Sequence, residues 1–299
     1  MKFYFSDTFD LTLPPGHRFP GSKYGMLRRM LIDDEVLRSA QLIASPIIED
    51  KALLRAHHHA YVTEMEDGTI DAKAMRRIGF PWSSHVVRRA RATMGGAVAA
   101  ARRAMEDGIS GQLAGGTHHA HHDFGAGYCI YNDFACAALT LLAEGRASRV
   151  AIIDLDVHQG DGNAAILSAR DDLFVLSIHG EKNFPFRKVK SDLDVGLPDG
   201  VEDGAYLRAL TDALPAVWEF APDLVLYQAG VDPLAEDKLG RMALTHEGLK
   251  KRDEIVLSEC KRRGVPVSMA IGGGYADPID ASVAAYANTY RVAKSLFGF

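Results

Sequence analysis

The chain has 299 residues, of which 47% are hydrophobic and 24% charged, a balance typical of a globular protein with a sizeable core. Its formal net charge of -5 argues against nucleic acid as a partner. The three cysteines are too few for a disulfide framework and predict a reducing, cytoplasmic location. No stretch approaches the ~18 apolar residues of a membrane span, and the first residues lack the apolar run of a signal peptide.

Short apolar runs along the chain are typical of buried parallel strands. They lie at Gly111 to Ala114, Arg149 to Leu155, Leu173 to Ile178, Leu224 to Gln228 and Val265 to Ile271. Helical patterns lie between or after them, at Asp133 to Ala143, Ala205 to Glu219 and Thr245 to Arg262. This alternation predicts a three-layer α/β/α fold with a mainly parallel central sheet. Because no repeat or long linker divides the chain, we expect a single domain over residues 1–299.

Polar residues follow each of the first four predicted strands, and a glycine-rich loop that ends in a tyrosine follows the fifth. In strand order, they are His118 and His119, Asp156 and His158, His179, Asp232, and the residues 272–275 that end in Tyr275. In an open parallel sheet, the carboxyl ends of the strands form the crevice in which ligands bind. The sequence therefore predicts one site at this edge of the sheet.

The segment IIDLDVHQGDG (152–162) contains candidate metal ligands. In an extended chain, Asp154, Asp156 and His158 share one face, and the apolar residues between them indicate partial burial. A polar strand end facing solvent is the alternative, but buried carboxylates need a counter-ion, which favours a metal on Asp156 and His158. A third ligand from another strand end would complete the site. Asp232 is favoured for this position over its neighbour Asp237.

The segment GGTHHAHHDFGAGYC (115–129) contains four histidines. His118 and His119 could be ligands or general bases, and an Asp-His-Asp metal set would leave them free to handle protons. His121 and His122 have no evident partner, so packing or surface positions are at least as plausible. The histidines at 57–59 fall in a predicted helix, where packing or a surface position is favoured over a metal cluster.

The segment IGGGYAD (271–277) presents Tyr275 after three glycines. Such a loop can bring a phenol close to a metal, where the hydroxyl would stabilise a developing oxyanion. A phosphate-binding loop is disfavoured because no lysine follows the glycines. A tight turn with a core tyrosine is the remaining alternative. The spacing of Cys129 and Cys136 fits no standard thiolate site.

Taken together and in this order, GGTHHAHHDFGAGYCIYND, DLDVHQGDGN, AGVDPLAEDKLG and GGGY closely resemble the histone deacetylase superfamily. The likeness extends from HRFPGSKYGMLRRML to the C-terminal helix. Gln159 and the segment LTHEGLKKRDEIV (244–256) look most like class IV members and their bacterial relatives. The resemblance implies an α/β fold of the arginase–deacetylase type.

The resemblance also implies roles for individual residues. It places one catalytic zinc on Asp156, His158 and Asp232. It pairs His118 with Asp154 and His119 with Asp161, and it makes Tyr275 the oxyanion-stabilising residue. The implied substrate tunnel is lined by Gly127, Tyr128, Phe184 and Gly273. A structural monovalent cation, usually potassium, would be held by Asp154, Asp156, His158 and Ser177. Tyr128 departs from the phenylalanine frequent in this tunnel, and we find no counterpart of the family's acidic rim residue.

These features predict a zinc-dependent amidohydrolase that removes acetyl or longer acyl groups from lysine side chains of proteins or peptides. Iron(II) could replace zinc, because an O,N,O ligand set with open positions accepts both ions. One alternative is deacetylation of small acylated amines such as acetylpolyamines. Another is an inactive module that binds acyl-lysine. A two-manganese ureohydrolase is disfavoured because Gly160 stands where a second aspartate would be required. The sequence leaves the oligomeric state open.

Overall fold

Eight strands form one central sheet in the computed structural model, which describes residues 1–9, 11–168 and 170–299. The strands are β1 (Phe3–Phe5), β2 (Leu42–Ala44), β3 (Ile109–Gln112), β4 (Val150–Asp154), β5 (Leu173–Gly180), β6 (Leu193–Leu197), β7 (Leu224–Gln228) and β8 (Val267–Ala270). Their order across the sheet is β2-β1-β3-β8-β7-β4-β5-β6, and all neighbours pair in parallel. The predicted parallel sheet is confirmed.

Helices cover the two faces of this sheet. They are α1 (Lys23–Asp33), α2 (Asp50–Ala56), α3 (His59–Asp67), α4 (Ala72–Ile78), α5 (Ser84–Asp107), α6 (Asp133–Ala143), α7 (Asp161–Leu167), α8 (Asp203–Glu219), α9 (His246–Arg263) and α10 (Asp280–Phe297). In one group α6 contacts α2, α5 and α7, and in a second group α9 contacts α8 and α10, and α10 contacts α1. The three-layer α/β/α prediction is therefore confirmed. No helix in the described part of the chain is long and apolar enough to cross a membrane.

Local sequence signals explain where the longer helices begin and end. The Ser83 hydroxyl accepts a hydrogen bond from Val86 N at the start of α5, and Gly108 ends that helix with a φ of 82°. Thr245 caps α9 in the same way through Gly248 N, and Gly264 ends it with a φ of 68°. Side-chain caps satisfy free N–H groups, and glycine adopts the left-handed conformation without strain.

Strand β4 lies between β7 and β5 in the sheet. All five of its residues are buried, and it pairs with β7 on one side and β5 on the other. Its last residue, Asp154, is the register partner of Gln228 in β7 and Ser177 in β5. The loops that follow β4 and β7 therefore leave the sheet side by side.

Most of the predicted elements are confirmed to within a few residues. The strands β1, β2 and β6 were not predicted because β1 and β2 have only three residues each and no residue of β2 or β6 is buried. His179 lies inside β5 and not after it, since that strand continues to Gly180. The helix predicted around the histidines at 57–59 is also wrong. His57 and His58 form the junction between α2 and α3, and only His59 is helical.

Candidate metal centre and active site

Three buried side chains from two loops meet beyond the ends of β4 and β7. Asp156 and His158 come from the loop after β4, and Asp232 comes from the loop after β7. One ligand atom from each residue lies within 4.8 Å of the others. Within the described residues, this is the one group of three or more such side chains that could hold a metal ion. The structure thus brings together the three ligands predicted from the sequence.

Backbone amides orient both carboxylates of this cluster. Asp156 Oδ2 accepts from Gly273 N at 2.7 Å, and its Oδ1 accepts from His158 N at 3.0 Å. Asp232 Oδ1 accepts from Val157 N at 2.8 Å. The Nδ1 atom of His158 lies 3.0 Å from Asp156 Oδ1 and 3.0 Å from Asp232 Oδ2. The loop after β4 therefore holds Asp232, and the loop after β8 holds Asp156, which fixes the donor atoms in one place.

Glycines leave space directly beside these carboxylates. A Cβ added at Gly273 would lie 2.0 Å from Asp232 Oδ2 and 2.9 Å from Asp156 Oδ2. A Cβ at Gly230 would lie 2.5 Å from Asp156 Oδ2. Gly272 has a φ of 61° and approaches Gly116 so closely that a Cβ on Gly116 would lie 2.4 Å from its Cα. The glycine run thus forms a cradle around the ligand oxygens.

The chemistry of the donor set fits a divalent cation. Two carboxylates and one imidazole, with room for further ligands, form a set that zinc accepts and that iron(II) also accepts. Burial and the neighbouring Asp156 carboxylate raise the pKa of Asp232 to about 7. A bound cation would offset the repulsion between the two buried carboxylates. The cluster therefore fits a metal, and its donor types do not separate zinc from iron.

Two histidines with carboxylate partners stand next to the cluster. His118 Nδ1 lies 2.8 Å from Asp154 Oδ2, and His119 Nδ1 lies 2.6 Å from Asp161 Oδ1. The two imidazole rings are 4.1 Å apart. Burial and the adjacent His118 lower the pKa of His119 to about 4, whereas for His118 the carboxylates of Asp154 and Asp156 outweigh burial and raise the pKa to about 9. Two imidazoles of different proton affinity thus face one cavity.

Tyr275 is placed by contacts that the sequence did not reveal. Its backbone N–H donates to Asp237 Oδ2 at 2.6 Å, and Asp237 Oδ1 accepts from the N–H groups of Leu239 and Gly240. Asp237, which sequence analysis considered as a rival ligand, therefore holds the tyrosine loop. Burial and the nearby carboxylates raise the pKa of Tyr275 well above its usual value, so the phenol stays protonated and can donate a hydrogen bond.

A buried lysine, Lys23, also holds the loop that carries Tyr275. Lys23 Nζ donates to Gly274 O and to the Tyr286 hydroxyl, each at 3.1 Å, and lies 4.8 Å from the centre of the Tyr275 ring. Burial lowers the pKa of this ammonium group to about 8. Because its partners lie more than 250 residues away along the chain, no local pattern could have indicated it.

A second buried cation ties the two ligand loops together. The Arg252 guanidinium donates to Gly230 O and Leu155 O, which precede Asp232 and Asp156 in the chain. Asp253 pairs with Arg252 and also accepts from the Tyr227 hydroxyl. The adjacent residues Arg252 and Asp253 therefore support the candidate metal centre through the backbone of these two loops.

A cavity of about 580 Å³ opens over the cluster. All four residues of the predicted tunnel line it, namely Gly127, Tyr128, Phe184 and Gly273. The rings of Phe184 and His119 are 4.8 Å apart, and a Cβ on Gly127 would lie within 3.2 Å of both side chains. Tyr128 has a φ of 65°, and its ring joins those of Phe19 and Tyr275 in one wall of the cavity. The tunnel residues are thus brought to the metal cluster.

Three further residues considered in the sequence analysis, Ser177, His121 and His122, differ in burial and in their partners. Ser177 is buried beside Asp154 and its hydroxyl bonds to His179 Nδ1 at 3.0 Å, so a structural cation on Asp154, Asp156, His158 and Ser177 stays a prediction. His121 has a partner that the sequence did not reveal, because its Nε2 lies 3.0 Å from Asp161 Oδ2. His122 is exposed.

The histidines at 57–59 lie apart from the metal cluster. His57 is a packing residue. Its Nδ1 bonds to His121 O at 3.0 Å, and its Nε2 accepts from Asn132 N at 2.8 Å. His58 caps α3, and both it and His59 are exposed. The three cysteines are all buried and unpaired within the described residues.

Comparisons with known proteins agree with this arrangement. Residues 17–290 match the model of the histone deacetylase domain. The chain is 44% identical to an uncharacterised protein of Picosynechococcus sp., over 95% of each chain. It is 30% identical to histone deacetylase 2 of Arabidopsis thaliana, over 92% of this chain and 74% of the relative.

A solved structure of a histone deacetylase homologue in complex with SAHA superimposes with a TM-score of 0.82 at 27% identity, covering 99% of this chain and 84% of the homologue. This match confirms the arginase–deacetylase type of fold. With the domain match and the relatives, it establishes that the chain belongs to the histone deacetylase family.

Proposed function

We propose that the chain is a zinc-dependent amidohydrolase that removes acetyl or longer acyl groups from the side-chain nitrogen of lysine. The single observation that carries the proposal is the convergence of an Asp-His-Asp cluster, two carboxylate-held histidines and Tyr275 on one cavity. We further infer that residues 1–299 act as a single catalytic domain. Family membership supports a hydrolase, and the site supports the metal.

Asp156, His158 and Asp232 would hold the zinc ion. When bound, zinc would polarise the amide carbonyl and make a water molecule more acidic. The Gly273 cradle keeps side-chain atoms away from the ligand oxygens, which leaves room for both the water and the carbonyl. The ring of Phe184 and the backbone of Gly127 would orient the aliphatic part of the acyl-lysine toward this point.

Side chains of the protein would transfer the protons and stabilise the developing charge. His119 is fixed through Nδ1 by Asp161, so its Nε2 is the atom that would take the proton of the attacking water. The protonated Tyr275 phenol would donate a hydrogen bond to the carbonyl oxygen as negative charge develops on it. A protonated imidazole, of His119 or His118, would pass a proton to the departing lysine nitrogen. The products are a carboxylate and a free amine.

An inactive acyl-lysine binding module is the alternative of another class. Such a module would need the cavity but not the two histidine–carboxylate pairs, which are charged, buried and costly to keep unless they serve chemistry. If these pairs served only to stabilise the fold, replacing one of them would leave the turnover of the folded protein unchanged. The paired histidines therefore favour an enzyme.

Turnover of acyl-lysine peptides by metal-defined protein tests the proposal. The purified protein would be stripped with a chelator, dialysed and reloaded with one equivalent of zinc or iron(II). Release of acetate and of longer carboxylates from an acyl-lysine peptide series would then be measured. We expect turnover in the reloaded protein and near-complete loss in the stripped protein. Full turnover after metal removal, or none in either reloaded form with any acyl length, would contradict the proposal.

A further inference from the structure

Four exposed cationic side chains surround the opening of the cavity, and we call these residues the basic mouth. Arg76 and Arg77 belong to the last turn of α4, Lys182 follows β5, and Arg241 follows β7. All four line the cavity that has the metal cluster at its floor. Three separate segments of the chain thus place positive charge at the same opening.

The charges of the basic mouth are barely compensated. In the described part of the chain, Arg76, Arg77 and Lys182 have no carboxylate within ion-pair distance. Arg77 is fixed by other means, because its Nε donates to Gly125 O at 3.2 Å and its guanidinium lies 4.0 Å from the centre of the Phe124 ring. Arg241 contacts Asp199 at 3.4 Å, but both side chains are well exposed, so this pair contributes little.

No carboxylate lines the opening of the cavity in the part of the chain that the structure describes. Among the described residues that line it, the one carboxylate is Asp156, which lies at the floor as a metal ligand. The whole chain carries a net charge of -5, so the positive opening is a local feature and not a consequence of overall composition. A cleft lined by charge of one sign concentrates ligands of the opposite sign.

Apolar side chains accompany these cations. Phe186 is 84% exposed and Leu239 is 37% exposed, and both line the cavity beside Lys182 and Arg241. Exposed apolar residues next to charged ones are typical of surfaces that contact an extended substrate. A substrate larger than the acyl-lysine side chain could therefore rest on this surface.

We propose that the basic mouth selects acyl-lysine whose neighbouring groups are carboxylates, most of all acyl-lysine within an acidic peptide segment. This inference rests on the proposed deacylase function and names its substrate class. Cationic amines such as acylated polyamines would meet like charge at the opening and be disfavoured. The carboxylate could also come from the backbone of a free acyl-lysine molecule, which the experiment distinguishes from a peptide.

The test compares acetyl-lysine peptides of equal length whose flanking residues are aspartate, serine or lysine. Free Nε-acetyl-lysine and N-acetylputrescine complete the series, all with zinc-loaded protein. We expect kcat/KM to be about 10-fold or more higher for the aspartate peptide than for the lysine peptide. This ratio should fall toward one at about 0.5 M salt, because salt screens exposed charges. Acetylputrescine should be the poorest substrate.

Charge-reversed protein provides the matched comparison. The double variant Lys182→Glu/Arg241→Glu leaves two positive and two negative charges at the basic mouth, so the aspartate and lysine peptides should react about equally. The control Arg208→Gln/Lys250→Gln changes two cations on α8 and α9 outside the cavity lining, and it should keep the original order.

The outcomes separate the two proposals. If the serine peptide is hydrolysed but the aspartate and lysine peptides react equally, or the lysine peptide reacts faster, the basic mouth proposal is wrong and the deacylase proposal stands. If free acetyl-lysine outperforms every peptide, the small-molecule source replaces the acidic peptide. If no substrate is hydrolysed, with acetyl or with any longer acyl group on the same peptides, the deacylase proposal itself is wrong.

Discussion

Nδ1 of His119 lies 2.6 Å from Oδ1 of Asp161, the shorter of the two histidine–carboxylate bonds beside the metal cluster. This bond fixes the ring and leaves Nε2 as the atom available to the attacking water. In the folded protein, burial would raise the pKa of Asp161, but the bonds from His119 and His121 hold it below its usual range. The carboxylate is therefore ionised at any pH at which the enzyme would work.

Replacing Asp161 by asparagine should lower kcat by about 10- to 100-fold, because the amide keeps the shape but not the charge that strengthens His119 as a base. KM and zinc content should change little. Steady-state kinetics of Asp161→Asn would be compared with those of Asp123→Asn, an exposed aspartate outside the cavity lining. An unchanged kcat in Asp161→Asn would rule out this role.

The substitution Tyr275→Phe removes one hydroxyl from the cavity. Loss of a single oxyanion donor typically costs about 100- to 1,000-fold in kcat, and we expect a loss in that range with zinc still bound. Tyr290→Phe serves as the control, because its hydroxyl bonds to Gln112 O in the core and does not line the cavity. Turnover of Tyr275→Phe within about two-fold of the native value would exclude the oxyanion role.

The substitution Gly273→Ala tests the cradle around the ligand oxygens. The added methyl group would lie 2.0 Å from Asp232 Oδ2, so the carboxylates must move apart. We expect the affinity for zinc to fall by at least about 10-fold, measured by calorimetric titration of the stripped protein. Gly204→Ala on α8 is the control, since its nearest neighbour is a flexible arginine end at 3.5 Å. Equal zinc affinity in the two variants would contradict the arrangement.

The buried His57 should make stability depend on pH. Burial lowers its pKa from 6.5 to about 4, so the folded protein holds it neutral while the unfolded chain takes up a proton below pH 6.5. The unfolding free energy should therefore fall by about 3 kcal/mol as the pH drops from 6.5 to 4, with no contribution above pH 6.5.

Denaturant titrations of the native protein and of His57→Gln across this range would measure the effect. Glutamine can still accept from Asn132 N but does not titrate, so the variant should lose this part of the pH dependence. The exposed His85→Gln is the control and should keep it. The same pH dependence in His57→Gln and the native protein would contradict the prediction.

The sequence was most informative where candidate ligand residues come soon after a buried strand along the chain. The spacing of Asp156 and His158 after a buried apolar run is local, and the small residues before Asp232 indicated a close approach, so the meeting of these three candidate ligands could be predicted. The strands β1, β2 and β6 could not, because β1 and β2 have three residues each and β6 contains no buried residue that would mark an apolar run.

The supporting groups depended on tertiary contacts. Lys23 contacts Gly274 and Tyr286 across most of the chain, and Arg252 reaches the backbone of two loops from α9. Asp237 looked like a ligand by type, yet its oxygens accept from the backbone N–H groups of Tyr275 and of Gly240, which lies in its own loop. Side chains that act by holding the backbone leave no spacing pattern in the sequence.

The most direct measurement is crystallographic anomalous scattering at the zinc edge from the zinc-loaded protein. A single strong peak should lie at about 2.0–2.2 Å from one atom each of Asp156, His158 and Asp232. The same experiment on Asp232→Ala should show that peak lost or greatly weakened. A native protein with no peak between these three side chains, or with its zinc bound elsewhere, would contradict the account.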